Sequence, residues 1–224
     1  MRFSQLALVV VFGLGGFAAL VGLSVWQVQR LAWKEELIAR IETRMRAEPV
    51  GLPETPSEAE DDFLSVRATG TFGAEALHVL TSARPEGPGY KVIAPLETDT
   101  GRRVLVDRGY VPEADGDKAL DPGPVIVTGT LLWPNEADAF TPDPNLERNI
   151  WFAREPERMA EALDTEPVLI VANAPTGDPS PRPQPVGVNL PNNHLQYAVT
   201  WALLAVLWLG MTGYFVYRAR RGTV

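Results

Sequence analysis

The run LPNNHLQYAVTWALLAVLWLG, Leu190–Gly210, decides how this chain is built. It enters a long apolar segment through two asparagines and one of the chain's two histidines, His194. From Tyr197 to Tyr217 the segment is apolar with aromatic ends, and near the start of the chain Leu6 to Val25 is almost wholly apolar. Roughly 20 apolar residues in a helix cross the hydrocarbon of a bilayer, so both stretches qualify. The first is longer than the ~7–15-residue apolar core of a cleaved leader and lacks a clear A-x-A site, so it reads as a retained anchor. The organisation expected is an N-terminal transmembrane helix over 1–29, a helical extension over 30–48 and a β-rich domain over 49–182. A tether over 183–193, a C-terminal transmembrane helix over 194–217 and a basic tail over 218–224 complete it.

Between the anchors, Leu31–Arg182 holds all 28 acidic residues against 15 of the 20 Lys and Arg, a net charge of −13. A surface of that sign repels nucleic acid, and no basic stripe offsets it. The absence of cysteine excludes disulfides and thiolate metal sites. Two spans place both termini on one side of the membrane and the domain on the other. Arg218, Arg220 and Arg221 assign the tail to the cytoplasm. Arg30, Lys34, Arg40, Arg44 and Arg46 after the first span vote the opposite way, but Glu35, Glu36, Glu42 and Glu48 dilute them, and the tail decides.

Beyond the first span, Trp33, Leu37, Ile38, Ile41 and Met45 keep a helical period, with Glu36–Arg40 and Glu42–Arg46 at i,i+4 spacing. Prolines and acids from Ala47 to Asp62 form a loop. Short strands follow: FLSVRATGTF with a possible bulge at Gly70, LHVLTSA, YKVIAPLET, RVLVDRGYV, PVIVTGTLLW and PVLIVAN. The pair YKVIAPLET and RVLVDRGYV is joined by a hairpin turn at DTGR. A short helix spans Pro156–Leu163, with proline where a helix start accepts it. The fold class is therefore a membrane protein with two transmembrane α-helices flanking a soluble β-rich α+β domain, built as an antiparallel sheet or small barrel. The proline-rich APTGDPSPRPQPVG, 174–187, returns the chain to the membrane.

Few residues could carry catalysis. Two histidines, scattered methionines and no cysteine do not make a zinc or copper site. No nucleophile elbow, phosphate-binding loop or dinucleotide fingerprint occurs, so an enzyme is not expected. His78, in LHVL, reads as an ordinary strand residue, and ion pairing accounts for VDRG.

His194 has two readings. In helical register it shares a face with Tyr197, Ala198, Trp201, Ala205 and Trp208, and Asn192 or Asn193 could cap the helix. It is either an interfacial residue of an aromatic belt or the axial ligand of a haem stacked among aromatics and small side chains. Periodicity does not choose between them. Trp26, Gln27 and Arg30 lie at the same membrane level, and Arg30 could pair a propionate or a lipid phosphate. Gly15, Ala19 and Gly22 could allow close helix contact.

Six motifs in order, GLSVWQVQRLAWKEELI, VRATGTF, GYKVIAPLE, VLVDRGYVP, VTGTL and NNHLQYAVTW, resemble the surfeit-locus protein one family, assembly factors of haem–copper terminal oxidases. The resemblance spans Gly22 to Trp201. It implies a non-enzymatic factor for cytochrome c oxidase biogenesis that binds haem a and promotes its delivery to, or insertion into, the catalytic subunit. It also implies a multi-pass protein of the bacterial inner membrane with a periplasmic domain, since no transit segment precedes the first span.

The histidine of NNHLQYA, with Asn193 and Gln196 in the same motif, makes His194 the expected haem ligand. Tyr197, Trp201, Trp26 and Arg30 are its expected surroundings. Gly89 and Tyr90 match the family's glycine–tyrosine pair, and Arg108, Gly109 and Tyr110 match R-G-W-V-P with tyrosine for the usual tryptophan. The glycines Gly89 and Gly109 read equally well as turn residues. The partners implied are the oxidase catalytic subunit, haem a synthase and the lipid bilayer. The alternative is a non-haem membrane scaffold that stabilises oxidase subunits during assembly.

Overall fold

The computed structural model describes residues 3–116, 123–177, 181–188 and 192–221. They form two compact bodies, a helical pair drawn from 1–40 and 189–224 and a domain drawn from 41–188.

The first apolar stretch and its extension make one unbroken helix, α1 (Phe3–Arg46). No proline interrupts it before Pro49, and Arg44 and Arg46 in its last turn face the negative end of the helix dipole. The expected i,i+4 pair forms between Glu42 and Arg46 at 3.0 Å. The last helix, α4 (His194–Arg221), begins where its first turn closes, with the Asn193 carbonyl accepting the Tyr197 N–H. At 1.5 Å per residue α1 is about 66 Å long and α4 about 42 Å, against about 30 Å of bilayer hydrocarbon. Both contain windows long and apolar enough to cross a membrane.

The two helices run antiparallel along a seam of small residues. Gly13 and Gly16 face Thr212 and Trp208 so closely that a Cβ on either would collide with those side chains. Trp208 donates its indole N–H to the Gly13 carbonyl at 2.9 Å, and Ser24 donates its hydroxyl to the Ala198 carbonyl at 2.9 Å. The small residues that matter therefore differ from those expected. Gly15 and Gly22 have open space around them and Ala19 is exposed, because a 3.6-residue period turns them off the strip of α1 that carries Gly13, Ser24 and Gln27 to α4.

The domain opens with β1 (Val50–Gly51) and a single turn of helix, α2 (Glu58–Asp61). It continues through β2 (Ser65–Phe72), β3 (Leu77–Ala83), β4 (Gly87–Thr98), β5 (Arg103–Pro112) and β6 (Pro124–Leu132). The remaining elements are β7 (Ile150–Trp151), α3 (Pro156–Leu163) and β8 (Glu166–Ala172). Strands β2, β6, β8, β5 and β4 pair in that order, and β4 returns to β2, closing a five-stranded barrel of the Greek-key kind. All of its pairings are antiparallel except β5 with β8. The two short strands dock at the periphery, β1 on β2 and β7 on β3.

Alternation along the strands sorts two cores. Val104, Val106, Val168, Ile170 and Ala172 turn into the barrel with Val66, Phe72 and Leu96. Leu105, Leu169 and Val171, on the opposite faces of the same strands, lie under Trp151, Met159 and Leu163 of β7 and α3. Burial on both faces explains why VLV and VLIVA read as continuous apolar runs rather than alternating ones. The hairpin at DTGR forms as expected, closed by Thr98 and Arg102 with Gly101 at a φ of +79°. Arg102 also makes a two-pronged pair with Glu166, tying the start of β5 to the start of β8.

The bulge falls elsewhere than expected. In β5, Gly109 opposes Val92 and Asp107 opposes Ile93, leaving Arg108 as the extra residue. Gly70, in contrast, stays in register and lies flat against the β4 backbone at the barrel corner. Arg182 of the proline-rich return forms a bridge with Tyr110, each N–H donating to the other's carbonyl at 2.7 and 2.8 Å. That segment is therefore a strap on the barrel at Arg182.

Gly109 occupies a φ of +113° directly beneath the Arg182 carbonyl, where no side chain fits. Gly109→Ala is expected to destabilise the domain by about 1–3 kcal/mol from backbone strain, with any collision adding to it. Denaturant unfolding followed by tryptophan fluorescence reads this as a lowered midpoint, and an unchanged midpoint would refute it.

Candidate functional site

His194 stands on the first turn of α4, and its Nδ1 lies 2.7 Å from Oε1 of Gln27 on α1. Gln27 is only 9% exposed, and the pair closes the seam one turn beyond the Ser24–Ala198 contact. An amide oxygen only accepts, so Nδ1 carries the proton and donates. In a neutral imidazole that leaves the lone pair on Nε2 uncommitted. Such a nitrogen is a competent metal ligand, and its orientation is fixed by the bond on the other side of the ring.

The aromatic residues around His194 divide between two faces. Ala198 and Ala205 are buried, with Trp201 and Trp208 half-buried on the same side of α4. Tyr197 is 53% exposed and so is Trp26 of α1, so both present ring surface outward from the pair rather than into the seam. Arg30, one turn beyond Gln27, is exposed and rests over the Trp33 ring at 3.9 Å. Asn193 supplies the capping carbonyl, and the Gln196 carbonyl accepts the Thr200 hydroxyl at 2.8 Å. Among the described residues no group of three or more His, Asp or Glu is arranged to hold a metal ion. A metal at His194 would have to arrive already held by a ligand of its own.

The barrel motif residues form a second, structural constellation. Arg108 continues the inward face of Val104 and Val106 into the barrel, where its guanidinium lies 4.2 Å from the Phe72 ring centroid and donates to Thr176 Oγ1 and O, each at 3.0 Å. Asp107, 1% exposed, accepts the Gly109 N–H at 3.0 Å and pairs with Arg154 at 3.0 Å and Lys91 at 3.8 Å. Ion pairing therefore explains the aspartate of VDRG. Among the described contacts of the arginine are the Thr176 oxygens and the Phe72 ring. Tyr110 is buried and its hydroxyl donates to the Gly87 and Pro88 carbonyls, both at 3.1 Å. Gly89 lies within β4 against Val111 and Tyr110, so it serves close strand packing and not a turn. The Tyr90 and His78 rings meet tilted at 47° with centroids 5.3 Å apart, which gives that histidine the structural place expected of it.

Three participants were not visible in sequence. Gln27 was placed at the right level but not on the ring, because the rotation of one helix against another is a tertiary property. Arg154 and Glu136 come from irregular segments with no period to pair them.

Two helices long and apolar enough to cross a membrane, joined in sequence to a closed five-stranded barrel, define the class of protein: a β-barrel domain flanked by candidate membrane anchors. A family model, the SURF1 family, matches residues 14–206. The chain belongs to this family, whose members are known as cytochrome oxidase assembly factors. It is 35% identical over 218 residues to Surfeit locus protein 1 of Homo sapiens, covering 84% of this chain and 72% of the human one. It is 32% identical over 225 residues to Surfeit locus protein 1 of Rattus norvegicus, covering 85% and 71%. A SURF1-like protein of Monosiga brevicollis is 33% identical over 226 residues, covering 90% and 84%.

The charge network on the barrel has a pH signature. Burial alone would raise the Glu136 carboxyl, but the hydrogen bonds and charge of Arg154 outweigh it and hold the group below its ordinary 4.5. Its stabilisation is present above the ordinary value and is lost as pH falls through the lower folded one. Glu136→Gln should unfold more easily than the parent at neutral pH and converge with it in acid. Arg154→Leu, which leaves the buried Asp107 without its nearest partner, should cost about 3–5 kcal/mol. Denaturant melts across pH check both, and parallel curves would refute the linkage.

Proposed function

We propose that this chain is an assembly factor for a haem–copper terminal oxidase, binding haem a and promoting its delivery to, or insertion into, the catalytic subunit. The observation that carries the reading is the His194–Gln27 pair, which occupies Nδ1 and leaves Nε2 of a half-buried imidazole without a partner among the described residues, at the end of an apolar helix pair. A haem brings its own four equatorial nitrogens, so a single imidazole suffices where the described residues offer no polydentate metal site. The residues present therefore fit the group. When bound, the haem would supply an iron centre, and His194 would hold it through Nε2.

Around that ligand, Trp201, Tyr197 and Trp26 offer ring surfaces. Arg30 can pair a propionate at the interface while a farnesyl tail stays among apolar side chains and lipid. A single ligand suits a carrier, since transfer requires only that the recipient bind more tightly. The domain would lie on the periplasmic face of the inner membrane, supported by the arginines at the end of α4, and would meet the catalytic subunit and haem a synthase there.

The second reading, a scaffold without pigment, draws on the closed seam: three side-chain contacts already hold the helices together without any cofactor. Expression in cells that make haem a separates the two. The carrier reading expects a Soret band on the purified chain and at least a tenfold loss of it in His194→Ala. Oxidase co-purification without pigment, unaffected by the substitution, would leave the scaffold.

A further inference from the structure

We infer that Gln27 is the positioning residue that sets how tightly His194 holds iron, tuned by an amide acceptor to a grip that can be released; this rests on the haem reading above. The 2.7 Å separation is short for an N–H···O bond, and Gln27 is buried at the seam, where low dielectric strengthens it. Two consequences follow from the chemistry of the acceptor. The oxygen holds the proton on Nδ1, so the ring presents Nε2 rather than a mixture of tautomers. It also polarises the Nδ1–H bond and raises the donor strength of Nε2.

How far it does so depends on charge. A carboxylate in this place would draw the proton more strongly and push the ring toward imidazolate, making a firmer and more electron-rich ligand. An apolar side chain would leave the ring unoriented. The neutral amide lies between these limits. It orients the ligand and strengthens it moderately, which suits a site that must both hold its cargo and surrender it. Gln27 acts through His194 and touches no cargo itself.

The remaining seam contacts, Trp208 to Gly13 and Ser24 to Ala198, do not involve Gln27, so its replacement spares two of the three. The test uses the full chain in lipid nanodiscs, as parent, Gln27→Glu and Gln27→Leu. Nitrogen NMR of labelled His194 without haem should show Nδ1 protonated in the parent and in Gln27→Glu, and a mixture of tautomers in Gln27→Leu. With haem a bound, loss to excess apomyoglobin should run roughly 10- to 100-fold faster in Gln27→Leu and slower than the parent in Gln27→Glu. The iron–imidazole stretch in resonance Raman should rise in the order Leu, Gln, Glu.

Identical tautomer spectra, or release rates within twofold across all three chains, would overturn the role of Gln27 while leaving haem binding intact. No Soret band on the parent would overturn the haem reading, and with it the grip. The nitrogen spectra would then still decide, on their own, whether Gln27 sets the tautomer.

Discussion

A polar group at the margin of hydrocarbon has to find its partner inside the protein, and this constraint organises the helical pair. His194, Gln27, Ser24 and the indole of Trp208 each meet it across the seam. The outermost of these contacts are separated by 14 residues of α1, about 21 Å of rise, so they fix both the register and the rotation of the pair over most of a bilayer's thickness. Glycines at 13 and 16 let Thr212 and Trp208 lie directly against the α1 backbone. The chemistry at the ring follows from this packing. Once the seam is closed, only one imidazole nitrogen is left for anything else.

In the domain the equivalent constraint is burial on both faces of β5 and β8. The barrel interior takes one set of side chains and α3 with β7 covers the other. Polar residues on these strands then need dedicated partners. Asp107 finds Arg154 and Lys91, and Arg108, on the inward face with Val104 and Val106, meets Phe72 and Thr176. The D-R-G-Y run is thus one folding device, in which the aspartate receives the Gly109 N–H and the glycine makes room for the returning strap.

The elements were legible because each carries its own period. The apolar runs at both ends, the start of α4 at His194, the bounds of α3 and the hairpin at DTGR follow from local composition and capping. Closure of the sheet was not determined, since a strand pattern is the same in an open sheet and a barrel. The bulge was placed at Gly70 because a glycine within a strand pattern is consistent with either a bulge or a close crossing of backbones, and here it is the crossing. At the candidate site His194 stood out as a lone imidazole before an apolar run. Gln27 did not, because several helix rotations bring different residues of WQVQR to the same level.

The order of strands in the barrel bears on how the chain comes into being. β8 sits between β5 and β6, yet it is made after both, at residues 166–172. Until it emerges during synthesis, the nascent cylinder has a slot with two bare edges, and Arg102 at one rim has no Glu166 to meet. Closure must therefore wait for the last strand, and a chain cut short anywhere before it keeps a raw seam open to stray pairing, however complete its earlier strands.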